Sequence, residues 1–133
     1  MMVIDTNVVL DLFVFNDPAS QPLKQALELG QRKWIATEPM REELTRVLSY
    51  PKISPRLAHY QLSADDVLAQ FDRHAHLMPV APRATLRCAD ADDQCFIDLA
   101  VQHQALLLSK DGAVLSMARR LAEHCVRVQA ALD

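Results

Sequence analysis

Glycine is almost missing from this chain. Gly30 and Gly112 are the two glycines in 133 residues, so there is no Walker loop to cradle phosphates and no G-x-G-x-x-G dinucleotide fingerprint. Cysteine is scarce as well. Cys88, Cys95 and Cys125 are an odd number without C-x-x-C spacing, which argues against a disulfide framework and a cysteine zinc site. Buried free thiols in a reducing compartment are expected instead. A basic excess is lacking too: the formal charge is −3, so net charge does not point to nucleic acid. A local basic rim remains compatible with that charge, and Arg41, Arg46, Lys52, Arg56, Arg119 and Arg120 are its candidates. Scattered solvated surface cations are the ordinary alternative. No apolar stretch approaches the ~20 residues of a membrane span. The opening Met1-Met2-Val3-Ile4-Asp5 has no positive segment and meets an acid at once, unlike a secretory leader. A cytoplasmic protein without membrane contact is expected.

What is present is a globular composition, 50% hydrophobic and 23% charged, of a length that suits one domain over 1–133 with a full core. Met2 to Ile4 reads as a short buried strand, after which Thr6 caps a helix carrying Val9, Leu10, Leu12 and Phe13. Leu23, Ala26, Leu27 and Leu29 form a helical stripe that stops at Gly30. Trp34 to Ala36 is a second strand, and Thr37 to Ser49 a helix with Pro39 in its first turn. Ser54-Pro55 opens a short helix to Tyr60, and Ser63 with Asp66 forms a capping pair for a helix to about His76. Met78 to Arg87 is irregular, and Asp90 to Asp93 opens a helix to about His103. Ala105 to Ser109 is the clearest strand, its leucines buried on both faces. Gly112 to Glu123 is helical and Val126 to Val128 a weak last strand. Strands alternating with helices predict an α/β fold with a mainly parallel sheet.

Four acidic signatures fall where those strands end or those helices begin: Asp5, Glu43, the Asp90/Asp92/Asp93 cluster and Asp111. Each alone has an ordinary explanation as a cap, a turn residue or a solvated helix position. Together they map to one crevice at the carboxyl ends of the strands. With Met40 at zero and about 100° per residue, Leu44, Val47 and Leu48 centre an apolar face near about 25°. Glu43 then lies on the flank of that face at about 300°, and Glu42 points to solvent at about 200°. By the same measure Asp93 lies inside the apolar arc of Phe96, Ile97 and Ala100, whereas Asp98 faces water. Two carboxylates ~4 Å apart repel by roughly 4 kcal/mol at an effective dielectric of 20. Convergence therefore calls for protonation or a cation. All-oxygen ligands favour Mg²⁺ or Mn²⁺ over zinc, and the chemistry indicated is metal-assisted hydrolysis of a phosphate ester.

The order and context of these pieces resemble the PIN-domain ribonucleases, including toxin components of bacterial toxin–antitoxin operons. The resemblance rests on the strand ending Asp5-Thr6-Asn7, on Glu43-Leu44-x-x-Val47-Leu48, on Asp90-x-Asp92-Asp93, and on the strand ending Ser109-Lys110-Asp111. It implies a three-layer α/β/α PIN-like fold. It further implies that Asp5, Glu43, Asp93 and Asp111 hold Mg²⁺ or Mn²⁺, with Asp92 and Asp90 as auxiliary ligands and Asn7 and Ser109 orienting the ligands. The reaction it implies is in-line attack of activated water on RNA, leaving 5′-phosphate and 3′-hydroxyl ends. RNA is then the substrate, and a cognate antitoxin and a second copy of the chain are the implied partners. Ser109 stands where threonine is commoner.

Two alternatives stay open. A PIN fold can act as a binding or regulatory module with little nuclease activity. A strand ending Asp5-x-Asn7 is also similar to haloacid-dehalogenase phosphatases, although those carry a second Asp where Asn7 stands. His74-x-His76 is a weak metal motif and reads more readily as a surface pair.

Overall fold

The computed structural model describes residues 1–132. Five short strands build one sheet: β1 (Met2–Ile4), β2 (Trp34–Ala36), β3 (Ala75–Leu77), β4 (Leu106–Leu108) and β5 (Val128–Gln129). Their order is β3-β2-β1-β4-β5, and every neighbouring pair is parallel. Parallel neighbours need crossovers, and these carry helices α1 (Thr6–Phe13), α2 (Gln21–Glu28), α3 (Glu38–Leu48), α4 (Ser54–His59), α5 (Ala64–His74), α6 (Gln94–His103), α7 (Gly112–Leu115) and α8 (Ala118–Ala122). The result is a three-layer α/β/α fold. Among the described residues, no helix is long and apolar enough to cross a membrane.

Strand order decides where the site lies. The chain builds outward from β1 through β2 to β3, then returns to the other side of β1 for β4 and β5. The direction in which strands are added reverses between β1 and β4, and ligands bind outside the carboxyl ends at such a switch point. Met2, Val3 and Ile4 pair in register with Leu106, Leu107 and Leu108. Asp5 and Ser109 therefore leave the sheet side by side. α6 packs across β1 and β4 with Phe96, Ile97, Leu99 and Ala100 buried, which brings its amino end to the same edge.

Local chemistry fixes the helix ends. At the head of α5, Ser63 Oγ accepts from the Asp66 amide at 3.1 Å and Asp66 Oδ2 accepts from the Ser63 amide at 2.9 Å, a reciprocal capping box. α2 ends in a Schellman turn: the Gln31 amide donates to Ala26 O at 2.9 Å, and Gly30 takes φ +67°, where a side chain would be strained.

Several details depart from the sequence reading. Asp5, not Thr6, occupies the cap position of α1, and Thr6 is already helical. α5 stops at His74, and Ala75–Leu77 is an edge strand; its half-exposed to exposed side chains give it no apolar run. The segment from Gly112 divides into α7 and α8, and the last strand lies later, at Val128–Gln129. Leu29 is exposed, because it sits where α2 hands over to the Gly30 turn. Leu106 is half-buried and so does not share the full burial of Leu107 and Leu108. The cysteines are free but not buried: Cys88 and Cys95 are half-buried, and Cys125 is exposed on a left-handed turn after α8.

Candidate active site

Asp5 is the first residue beyond β1 and is 4% exposed. Its amide donates to Leu108 O at 2.9 Å, which keeps the end of β1 zipped to β4. Its Oδ2 accepts from Ser109 Oγ at 2.6 Å. Burial pushes the Asp5 pKa up and the nearby Asp111 charge adds to the rise, while the Ser109 and backbone hydrogen bonds oppose it. Ser109, itself fully buried, also accepts from the Asp111 amide at 3.1 Å. One hydroxyl thus ties the first acid to the backbone of the last. Asp111 caps α7 through Oδ1, which accepts from the Ala113 amide at 2.8 Å.

The Asp90 cluster turns a 3₁₀ helix, Ala91–Asp93, into the head of α6. Asp90 starts that turn, with Oδ1 accepting from the Asp92 amide at 3.0 Å. Asp93 ends it and is buried, and its Oδ2 has no hydrogen-bond partner. Burial foremost, then the charge of Asp5, the side-chain contact with Asp111 and the charges of Asp111 and Asp90, push the Asp93 pKa up to about 7. Carboxylate oxygens of Asp90, Asp93 and Asp111 lie within 4.8 Å of one another.

Glu43 approaches from α3. It is half-buried, and burial followed by the charge of Asp5 raises its pKa, against the pull of Arg46 and a hydrogen bond from Thr6. Glu42, one residue earlier, is exposed. The fold therefore brings Asp5, Glu43, Asp93 and Asp111 to one edge. Asp90 joins the tight group, whereas Asp92 is exposed and reaches Glu43 only through its charge. Asp5 and Glu43 lie outside the 4.8 Å group: the charge of Asp5 acts on Asp93, and Glu43 feels Asp5 and Asp92.

An all-carboxylate cluster with a buried oxygen that no protein donor satisfies fits a hard divalent cation. Cys95 and Cys88, both half-buried, lie near the same acids. Burial and the charges of Glu43, Asp5 and Asp93 push Cys95 up to about 12, and burial raises Cys88. Sulfur is a soft ligand and suits a hard cation poorly beside carboxylates.

Sequence reasoning missed several supports. Asp98 does not face water: its Oδ1 accepts from the Ala84 amide and from Gln94 Nε2, both at 2.8 Å. Gln94 in turn accepts from the Cys88 amide at 2.7 Å and donates to Leu86 O at 2.8 Å. Together the two side chains staple residues 84–88 onto α6, immediately before Asp90. Asn7 Oδ1 accepts from the Lys110 amide at 3.4 Å, and Lys110 Nζ pairs with Asp11. Of the cations proposed for a basic rim, Arg41 is committed to Asp72 and Arg56 lies over the Phe15 ring at 3.9 Å.

A family model for the PIN domain matches residues 1–112. The chain belongs to the PIN-domain family. The matched span runs from β1 through the first residue of α7 and so takes in all the acids described above. No curated protein matches the chain. A PIN domain has a nuclease fold that typically binds divalent metal through acidic residues, and the carboxylate cluster at the switch point agrees with that fold. Membership in this family displaces the phosphatase alternative.

Proposed function

We propose that this PIN domain is a metal-dependent endoribonuclease acting as the toxin of a toxin–antitoxin pair. The observation that carries the nuclease reading is the partnerless Asp93 Oδ2 beside Asp90 and Asp111. A buried carboxylate without a donor is costly, and its neighbours here are further carboxylates. Asp5, Glu43, Asp93 and Asp111 are the residues assigned to hold Mg²⁺ or Mn²⁺, with Asp90 the nearer auxiliary and Asp92 the outer one. Such a cation, when bound, supplies an acidified water and neutralises charge on a phosphoryl oxygen. Ser109 holds one oxygen of Asp5 and so orients the other, and Asn7 holds the turn that carries Asp111.

RNA as substrate, a cognate antitoxin as partner and a homodimer come from the family resemblance, and a cytoplasmic setting from the cysteine content of the sequence. The test is cleavage of a mixed-sequence RNA with Mg²⁺ or Mn²⁺ by the wild type, Asp5→Asn and Asp93→Asn. Metal-dependent cleavage that both variants lose is expected. Equal cleavage in all three proteins overturns the assignment, and RNA binding without turnover selects the binding-module alternative. Growth arrest on expression, relieved by the product of the adjacent gene, is the corresponding result for the toxin role.

A further inference from the structure

We infer that Asp11 and Lys110 are positioning residues of the acidic crevice, through which α1 grips the β4–α7 turn and sets where Ser109 and Asp111 present their oxygens. The inference rests on the metal-site reading above.

Lys110 is the middle residue of that turn. Ser109, before it, donates to Asp5 Oδ2 and accepts from the Asp111 amide. Asp111, after it, supplies a carboxylate to the group with Asp90 and Asp93. A shift of Lys110 therefore moves both neighbours. Asn7 and Asp11 stand four residues apart on α1, a spacing that puts their side chains on one face. From that face the turn is held twice, by Asn7 Oδ1 on the Lys110 amide and by Asp11 on its ammonium.

The anchor is itself fixed. The Asp11 carbonyl accepts from the Asp17 amide at 3.0 Å and from Ser20 Oγ at 3.4 Å, which ties the end of α1 to the following 3₁₀ turn. The Asp11 side chain is 12% exposed, against 45% for Lys110. The anion is thus the shielded partner, and loss of the cation strands a largely desolvated charge. An exposed pair of long side chains is worth little. This pair differs because its anion is largely buried and its cation belongs to the residue between Ser109 and Asp111, whose own amide is held by Asn7. Residues that orient metal ligands typically change metal affinity by about 10–100-fold when removed.

The experiment is Mn²⁺ binding followed by electron paramagnetic resonance on the full chain, together with amide hydrogen exchange of the metal-free protein. Lys110→Met and Asp11→Asn should each weaken Mn²⁺ binding about 10-fold or more. The double variant should bind no worse than the weaker single one, because both remove the same link. Lys110→Arg, which keeps the charge, should retain most of the affinity. In the metal-free protein, the Asp111 amide should lose protection in Lys110→Met and keep it in Lys110→Arg. Unchanged Mn²⁺ affinity in both single variants overturns the inference, and so do losses that multiply in the double variant. If the wild type binds no Mn²⁺, the metal-site reading fails and the positioning role falls with it. An unaltered Asp111 amide beside normal wild-type Mn²⁺ binding overturns the positioning role alone.

Discussion

Two buried side-chain atoms lack a hydrogen-bond partner among the described residues: Asp93 Oδ2 at the carboxyl edge of the sheet, and Trp34 Nε1 at the opposite edge. Trp34 opens β2 and is packed edge-on by Phe71 at 5.0 Å and obliquely by Phe13 at 6.1 Å, with Phe13 stacked over His74 at 6.3 Å. An unmet indole N–H costs about 1–3 kcal/mol, and the aromatic contacts around it offset that cost. For Asp93 the side-chain partner is another carboxylate, Asp111. Its neighbours Asp5, Asp111 and Asp90 are carboxylates, and burial and their charges raise its pKa together. The same helix, α1, is capped by Asp5, ends at Phe13 and joins the two edges. One edge holds the fold together, and the other stores an unfavourable arrangement that a cation would relieve. Stability and function thus separate along a single helix, as expected where strain collects at functional sites.

The largest expected effect breaks the comparison at its charged end. Asp5→Asn and Asp93→Asn should each lower metal-dependent RNA cleavage by about 10³-fold or more, beyond the 10²–10³ lost with a single hydrogen-bond donor. At pH 8 Asp93→Asn should not lower the melting temperature of the metal-free protein, since it removes a repelled charge. A loss of activity that follows a loss of folding would refute the separation. At the aromatic end the pattern should invert. Phe71 is 3% exposed, and Phe71→Ala should cost about 3–5 kcal/mol in urea unfolding. The remaining folded protein should bind Mn²⁺ as the wild type does; a weakened Mn²⁺ affinity would show that the two edges are coupled.

A pH series sharpens the contrast with a smaller signal. Asp93 keeps its proton up to about 7 in the folded protein, against an ordinary value of 3.8. Between those values the folded state binds more protons than the unfolded state, so stability falls as pH rises. The favourable contribution is complete below about pH 4 and is lost through about pH 7. Asp5 and Glu43, also raised, add in the same direction. Urea midpoints of the metal-free protein should therefore decline from pH 5 to pH 8. The decline should shrink in Asp93→Asn and nearly vanish with saturating Mn²⁺. A flat profile without metal would mean that Asp93 is not held protonated.

Both edges differ in how far the sequence discloses them. Asp5 and Asp93 stand out because an acid at the end of an apolar strand, or inside an apolar helical arc, breaks a pattern set by its own neighbours. Glu43 is distinguished from Glu42 by the same periodicity. Contacts between distant segments leave no such local mark. Asp98 sits at a helical position that reads as solvent-facing, yet residues 84–88 fold back and use it as an acceptor. The Asp11–Lys110 pair joins α1 to the β4–α7 turn, and nothing near either residue announces it. β3 is legible only as a partner of β2, because His76 and Leu77 are exposed and give no alternation. Cys95 reads as one more small apolar residue, and its place among Glu43, Asp5 and Asp93 follows from packing alone.

The smallest effect concerns the basic rim, and it asks whether the cations near the charged edge serve the fold or the substrate. Arg41 on α3 makes a two-pronged contact with Asp72 on α5, at 2.7 and 2.8 Å. That contact holds the Asp72 carboxyl below its ordinary range. Both side chains are open to solvent, at 29% and 51%, so the pair should contribute about 0.2–1 kcal/mol. Arg41→Met should lower stability within that range and leave the KM for RNA unchanged, since the guanidinium is already occupied. Arg46 is the contrasting case. It is exposed and lies close enough to lower the pKa of Glu43. Arg46→Met should raise the KM severalfold with little change in melting temperature, and its effect should fade as salt rises. Equal KM values for the two variants would assign substrate contact to neither cation, and a raised KM in Arg41→Met alone would reverse their roles.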